Sequence, residues 1–167
     1  MNNRKTIVTL IPIFFFFSNV YAEDLSVEDF IIKDFYSHIT INEDSSVNIT
    51  ETIQVEYREK PIEFLEKRRM FERHIPYIIY DDNSNYNIAS ITVNSVVDSN
   101  GRNLPFYTGE KDNYIIIKIG KNNTYLSGKH TYIIQYKINN GIFFSDTGDS
   151  FFWNVTGFLF SNIEKIS

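Results

Sequence analysis

An all-β fold, an immunoglobulin-like antiparallel β-sandwich with at most one short helix, is predicted by three observations. All seven glycines fall between Gly101 and Gly157, at intervals of 8, 11, 8, 13, 7 and 9 residues. Glycine supplies the positive φ of tight turns, and turn signals at this spacing mark short strands folded into a sandwich or barrel. Apolar residues recur at every second position over several runs, the period of a half-buried strand. Ile, Val, Thr, Tyr and Phe abound while alanine occurs only at Ala22 and Ala89, a composition that favours strand over helix.

The first element stands outside that fold. Arg4 and Lys5 precede the 12-residue apolar run Thr6–Phe17, and Val20-Tyr21-Ala22 offers a small-x-small cleavage site before Glu23. This is the layout of a signal peptide over residues 1–22. As a helix the run spans about 18 Å, short of a hydrocarbon core of about 30 Å. The alternative is a retained anchor, since Thr6 to Ala22 is just long enough for a strained span. On either reading residues 23–167 form a single domain that works outside the cytosol, in the periplasm or at the surface of a bacterial cell.

Within that domain Ile39 and Ile41 alternate ahead of a polar turn, Asn42 to Ser46. Val47, Ile49, Ile53, Val55 and Tyr57 then share one strand face, which Glu51 interrupts. Pro61 can open a helix, and Glu63–Lys67 and Arg68–Glu72 are i,i+4 opposite-charge pairs, so a short helix or ordered loop is expected over 61–72. Ser99-Asn100-Gly101 separates the strand Ile91–Val97 from Leu104–Tyr107. Tyr114–Ile119 reads as a strand, as does Thr131–Ile138, with Tyr132, Ile134, Tyr136 and Ile138 on one face. Asn140-Gly141 favours a tight turn into Ile142-Phe143-Phe144.

Charge and composition exclude whole classes of function. The formal net charge of −5 becomes −7 once Arg4 and Lys5 leave with the leader. That sign argues against general affinity for nucleic acid or anionic lipid, which need a basic footprint. The absence of cysteine removes disulfides and thiolate chemistry, so stability rests on a packed core. His38, His74 and His130 lack ligand-pair spacing, and a zinc site needs three or four converging ligands. No P-loop, dinucleotide fingerprint or Gly-x-Ser-x-Gly elbow occurs. The expectation is therefore no metal and no cofactor.

A resemblance joins these pieces. Ile117-Lys118-Ile119-Gly120, then Gly128-Lys129-His130-Thr131-Tyr132-Ile133-Ile134-Gln135-Tyr136, then Phe152-Trp153-Asn154 and Gly157 resemble the exported amino-terminal domain of a family of predicted membrane proteins. That family is catalogued as domain of unknown function 2207. Val47 to Ile53, with its embedded glutamate, is similar to the family's first long strand, and Arg73-His74-Ile75-Pro76 to its Arg-x-Ile-Pro step. The likeness runs from about residue 34 to 166. Met70 stands where the family usually has glycine and Phe160 where it usually has tryptophan. Members continue into transmembrane helices, and this chain stops near the last strand of the ectodomain. The preferred expectation is an ectodomain truncated at its C-terminal edge by loss of the membrane half, the other a free-standing soluble version. Membrane attachment would come only through a retained leader or that lost region.

Glu51 and Arg73 form the pair of most interest. A carboxylate on an inward strand face needs a cationic or hydrogen-bonding partner, and the resemblance points to Arg73, in a structural ion pair rather than a catalytic one. Asp146-Thr147-Gly148 copies the aspartic-protease triplet, but Ser145 and Asp149 flank it where apolar and small residues are usual, so it reads as an acidic turn. Asp81-Asp82 with Asn83, Ser84 and Asn85 lacks the order of an EF-hand loop and reads as a solvated loop. Asn48-Ile49-Thr50, Asn122-Asn123-Thr124 and Asn154-Val155-Thr156 match a glycosylation sequon, as chance allows in an asparagine-rich chain.

The aromatics have two readings. Tyr107, Tyr114 and Trp153, with Tyr125, Tyr132 and Tyr136, are candidates for a glycan-stacking platform, and the same rings would equally fill a core. The leading functional expectation is a non-catalytic interaction or sensing domain whose partner is a protein or an envelope glycan. A carbohydrate-binding module is the alternative. A hydrolase using Glu51 or the Asp146/Asp149 loop ranks third.

Overall fold

The computed structural model describes residues 30–58, 70–121, 126–156 and 163–166. Among these residues there are eleven strands and no helix, so none is long and apolar enough to cross a membrane. The strands are β1 (Phe30–Ile41), β2 (Val47–Tyr57), β3 (Phe71–Pro76), β4 (Ile78–Tyr80), β5 (Tyr86–Ile88) and β6 (Ser90–Val97). They continue as β7 (Phe106–Lys111), β8 (Tyr114–Ile119), β9 (Gly128–Asn139), β10 (Ile142–Phe143) and β11 (Ser150–Phe151). The leader lies outside the described residues, as does 61–69, most of the expected helix.

Two sheets make the body, a four-stranded one in the order β1-β2-β9-β6 and a three-stranded one in the order β3-β8-β7. Their strands pair antiparallel throughout. The sheets face each other across one core: Phe71 of β3 stacks on Tyr132 of β9 with ring centroids 4.6 Å apart. Strand β2 shows why the alternation is decisive. Val47, Ile49, Glu51, Ile53, Val55 and Tyr57 are all buried while the residues between them are not. Each such aliphatic side chain contributes about 1.5–3 kcal/mol when taken from water. Tyr132, Ile134, Tyr136 and Ile138 of β9 bury in the same way.

Three local readings change. The last residues of the expected helix, Phe71 and Glu72, instead open β3, where Phe71, Arg73 and Ile75 are buried on alternate positions. Glu72 pairs across the sheet with Lys118 at 2.9 Å. Strand β1 begins at Phe30, well before the alternation of Ile39 and Ile41, because a bulge between Ile32 and Asp34 breaks its period. The buried Ile32 and Phe35 are thus three apart and imitate a helical spacing. Asn140 does turn the chain, with φ at 58°, but β10 pairs with β11 rather than folding back on β9.

One hairpin needs no glycine. Lys111 and Tyr114 are cross-strand partners, and Asp112 and Asn113 between them have φ of 52° and 66°. Positive φ at both central positions is the type I′ turn, which Asn and Asp tolerate. At the far side of the other sheet, Ile163 and Ile166 lie parallel to β1 opposite Ile32 and Phe35. The amides of Glu164 and Phe35 donate to the carbonyls of Ile32 and Lys165, each at 2.9 Å. This short stretch covers part of the β1 edge.

Candidate functional site

The most unusual chemistry in the molecule lies between the sheets. β2 turns Glu51 inward because its neighbours two residues away are core isoleucines, and β3 turns Arg73 inward between Phe71 and Ile75. Both side chains are wholly buried. Arg73 donates from Nε to Glu51 Oε2 and from Nη2 to Glu51 Oε1, both at 2.7 Å. This two-pronged geometry is the strongest form of such a pair.

The rest of the guanidinium is also occupied. Nη1 donates to the carbonyl of His74 at 2.6 Å and of Thr156 at 2.9 Å, and Nη2 donates to the carbonyl of Val155 at 3.0 Å. All five N–H groups of the fork therefore have acceptors. The Phe35 ring lies under the cation, with its centroid 5.6 Å from Cζ. Burial disfavours the charged guanidinium, but the Glu51 charge and hydrogen bonds outweigh it and hold Arg73 above its ordinary pKa.

Sequence reasoning missed a third member, Tyr136. Its hydroxyl donates to Glu51 Oε1 at 2.7 Å. β9 lies beside β2 with Ile134 opposite Glu51, so Tyr136 is the diagonal neighbour on the same inward face. Burial, and then the Glu51 charge, push its hydroxyl well above the usual tyrosine range, which keeps it a neutral donor. The only sequence signal was a hydroxyl on an inward face near a glutamate.

The candidate aromatics separate. Tyr107 on β7 is exposed and Tyr114 at the start of β8 is half-buried, both on the outer face of the three-stranded sheet. Tyr107 sits opposite Lys118, four positions along β8 from Tyr114, or ~13 Å. Trp153 is half-buried and stacks on Phe151 with centroids 5.8 Å apart. Tyr114 and Trp153 line one open groove with Tyr80 and Pro76, and Tyr107 is not among its walls. Tyr132 and Tyr136 are core residues, and Tyr125 lies outside the described residues.

The remaining candidates are local structure. The Asp81 carboxylate accepts the backbone N–H of Asn83 and Asn85 at 2.9 and 2.8 Å, closing its own loop. Asp146 and Asp149 are exposed, and the turn between them is closed by Ser145 Oγ donating to the Gly148 carbonyl at 2.6 Å. His74 is paired with Glu72 at 3.2 Å. Among the described residues no cluster of His, Asp and Glu could hold a metal ion.

Comparison with other proteins gives one match of weight. The family profile described as Predicted membrane protein (DUF2207) N-terminal domain covers residues 31–158. No curated protein matches the chain. Among solved structures, native leukotriene A4 hydrolase from Saccharomyces cerevisiae and the same yeast enzyme with bestatin each align with a TM-score of 0.47 at 16% identity. The alignment covers 67% of this chain but only 15% of the hydrolase, so nothing of that enzyme's activity follows from it.

Proposed function

Because this chain belongs to the family of predicted membrane proteins with a DUF2207 N-terminal domain, we propose that residues 23–167 form one exported domain that binds or senses a partner and performs no chemistry. The supporting observation is the state of Glu51, the carboxylate best placed by sequence to act as an acid or base. It is fully buried, and its oxygens are taken by Arg73 and Tyr136. A general acid or base must come within hydrogen-bond reach of substrate, and Glu51 has no open approach. We read the pair as a structural tie between the sheets.

The partner is a protein or a glycan of the cell envelope, and the location is the periplasm or cell surface. The leader supports that location. Fractionation of cells expressing the full chain tests it: mass spectrometry of the exported form is expected to begin at Glu23, and a chain left in the cytosol would refute it. For the non-catalytic reading, chromogenic ester, peptide and glycoside substrates are the test. No turnover above background is expected, and turnover abolished by Glu51→Gln would overturn it.

A second reading has one observation in its favour. Tyr80, Tyr114 and Trp153 share an open groove of about 670 Å³, a size and lining that suit a sugar ring stacked on aromatics. Titration with peptidoglycan fragments, following tryptophan fluorescence, decides it. A change lost in Tyr114→Ala, which keeps the single tryptophan as the reporter, supports a glycan module, and a flat titration removes it.

A further inference from the structure

The sandwich stands open along one side. β6 is the last strand of the four-stranded sheet and β7 the last of the three-stranded one. A tight turn joins them, and just past it the Leu104 amide donates to the Val96 carbonyl at 2.9 Å. Beyond that point the two strands part. Ile91 and Val93 pair with the buried Ile138 and Tyr136 and so face inward, yet both are only half-buried. Thr108 and Glu110 pair with the inward Ile117 and Ile115 of β8, yet both are exposed. A cleft of about 370 Å³ lies between the strands, with Phe106 and Ile115 completing its apolar wall. All of its wall comes from the described stretch 70–121.

Three of the four outer strands carry a device against further pairing. β1 is partly covered by 163–166. β3 carries Glu72 and Pro76, and β7 carries the inward-turned Glu110 and Lys111. β6 has neither charge nor proline between Ser90 and Val97. From Ser90 to Ser95 its backbone groups on the side away from β9 have no backbone partner among the described residues. A bulge between Val93 and Ser95 limits the regular stretch to Ser90–Val93. Unpaired amides and carbonyls along an edge are answered by another strand, and the apolar wall by side chains at every second position of that strand. Glu110 has no ion-pair partner among the described residues. Its carboxylate therefore disfavours a purely apolar strand and favours one that carries a cation.

We propose that the cleft between β6 and β7 binds an extended segment of a partner protein. That segment pairs with β6 and turns alternate apolar side chains, and one lysine or arginine, into the cleft. The proposal rests on the binding-domain reading above and names the chemistry of the partner. Fluorescence anisotropy of the full chain with the labelled nonapeptide Thr-Lys-Thr-Val-Thr-Val-Thr-Lys-Thr is the test. Its valines and lysines share one face, so a lysine meets Glu110 whichever way the strand runs. Saturable one-to-one binding is expected. It should weaken by about tenfold or more in Glu110→Lys, which loses a charge-assisted contact. Replacing both peptide lysines with glutamate should restore it. Thr108→Trp, which fills the cleft from an exposed position, should block it. Unchanged thermal melts show that both variants are folded.

Two control peptides separate strand pairing from plain apolar or charge attraction. N-methylation of alternate backbone amides removes the donors of the ladder, and placing the two valines side by side breaks the period at fixed composition. Both should bind far less well. No binding of the nonapeptide by the parent chain, or equal binding of either control, overturns the proposal and leaves a binding role elsewhere on the domain intact. Sedimentation velocity of the chain alone tests for a second copy in the cleft. A dimer dissociated by Thr108→Trp would assign the cleft to self-association and overturn the proposal as well. Cleavage of the nonapeptide would overturn both this proposal and the non-catalytic reading.

Discussion

Arg73 of β3 reaches across the sandwich to hold both carboxylate oxygens of Glu51 on β2, at 2.7 Å each, with neither side chain touching solvent. The same guanidinium holds the carbonyls of Val155 and Thr156. One charge thus ties together the two sheets and the segment that follows β11. Such a pair need not stabilise the fold relative to a well-packed apolar core, but removing one partner strands a buried charge.

Glu51→Ala and Arg73→Ala are each expected to cost about 3–5 kcal/mol. The double variant should be no worse than either single, since the second substitution removes the stranded charge. Thermal or urea melts of all four chains measure this. Losses that add would show that the two residues act independently.

Tyr136→Phe keeps the ring and deletes the donor to Glu51 Oε1. A loss of about 1.5–3 kcal/mol is expected, the range for a hydrogen bond to a charged group. Combined with Glu51→Ala, the Phe substitution should add little. A full additional loss in that combination would place the hydroxyl's value elsewhere.

Alkaline pH should unfold the protein. Burial raises the Tyr132 hydroxyl to about 12, and burial with the Glu51 charge holds Tyr136 well above the ordinary tyrosine value, against about 10 in an unfolded chain. Below pH ~10 both states hold these protons and stability is unaffected. Above it the unfolded chain releases them first, so stability falls by about 1.4 kcal/mol per pH unit for each tyrosine, until the folded pKa is passed. Tyrosinate absorbance should therefore rise together with loss of β-sheet circular dichroism. Ionisation of these two tyrosines in a chain that stays folded would contradict their burial.

Two glycines should respond differently. A Cβ on Gly141 would lie 3.1 Å from Ile138 Cγ2 and 3.2 Å from a ring carbon of Phe151, whereas Gly101 has open space and φ at +75°. Gly141→Val is expected to lose about 1–3 kcal/mol through overpacking. Gly101→Asn should stay within about 0.5 kcal/mol, since asparagine accepts that backbone conformation. Equal melting temperatures for the two variants would refute the distinction.

The fold class was legible because strand burial has a period of two wherever one face meets the core. β2 and β9 display it without interruption, and Glu51 announced itself by standing where an isoleucine belonged. β1 was obscured by its bulge, β3 by charges that imitate helix spacing, and the hairpin at Asp112-Asn113 by having no glycine.

Periodicity and composition thus determined by themselves that extended chain would pack in layers, and that one inward carboxylate would need a partner. Tertiary structure decided the rest: that Tyr136 joins Arg73 on Glu51, and that Tyr107 is parted from Tyr114 and Trp153. The physical reason is range. Alternation is written between neighbours in the chain, whereas a hydrogen bond from residue 136 to residue 51 depends on strand order and register, which no local pattern encodes.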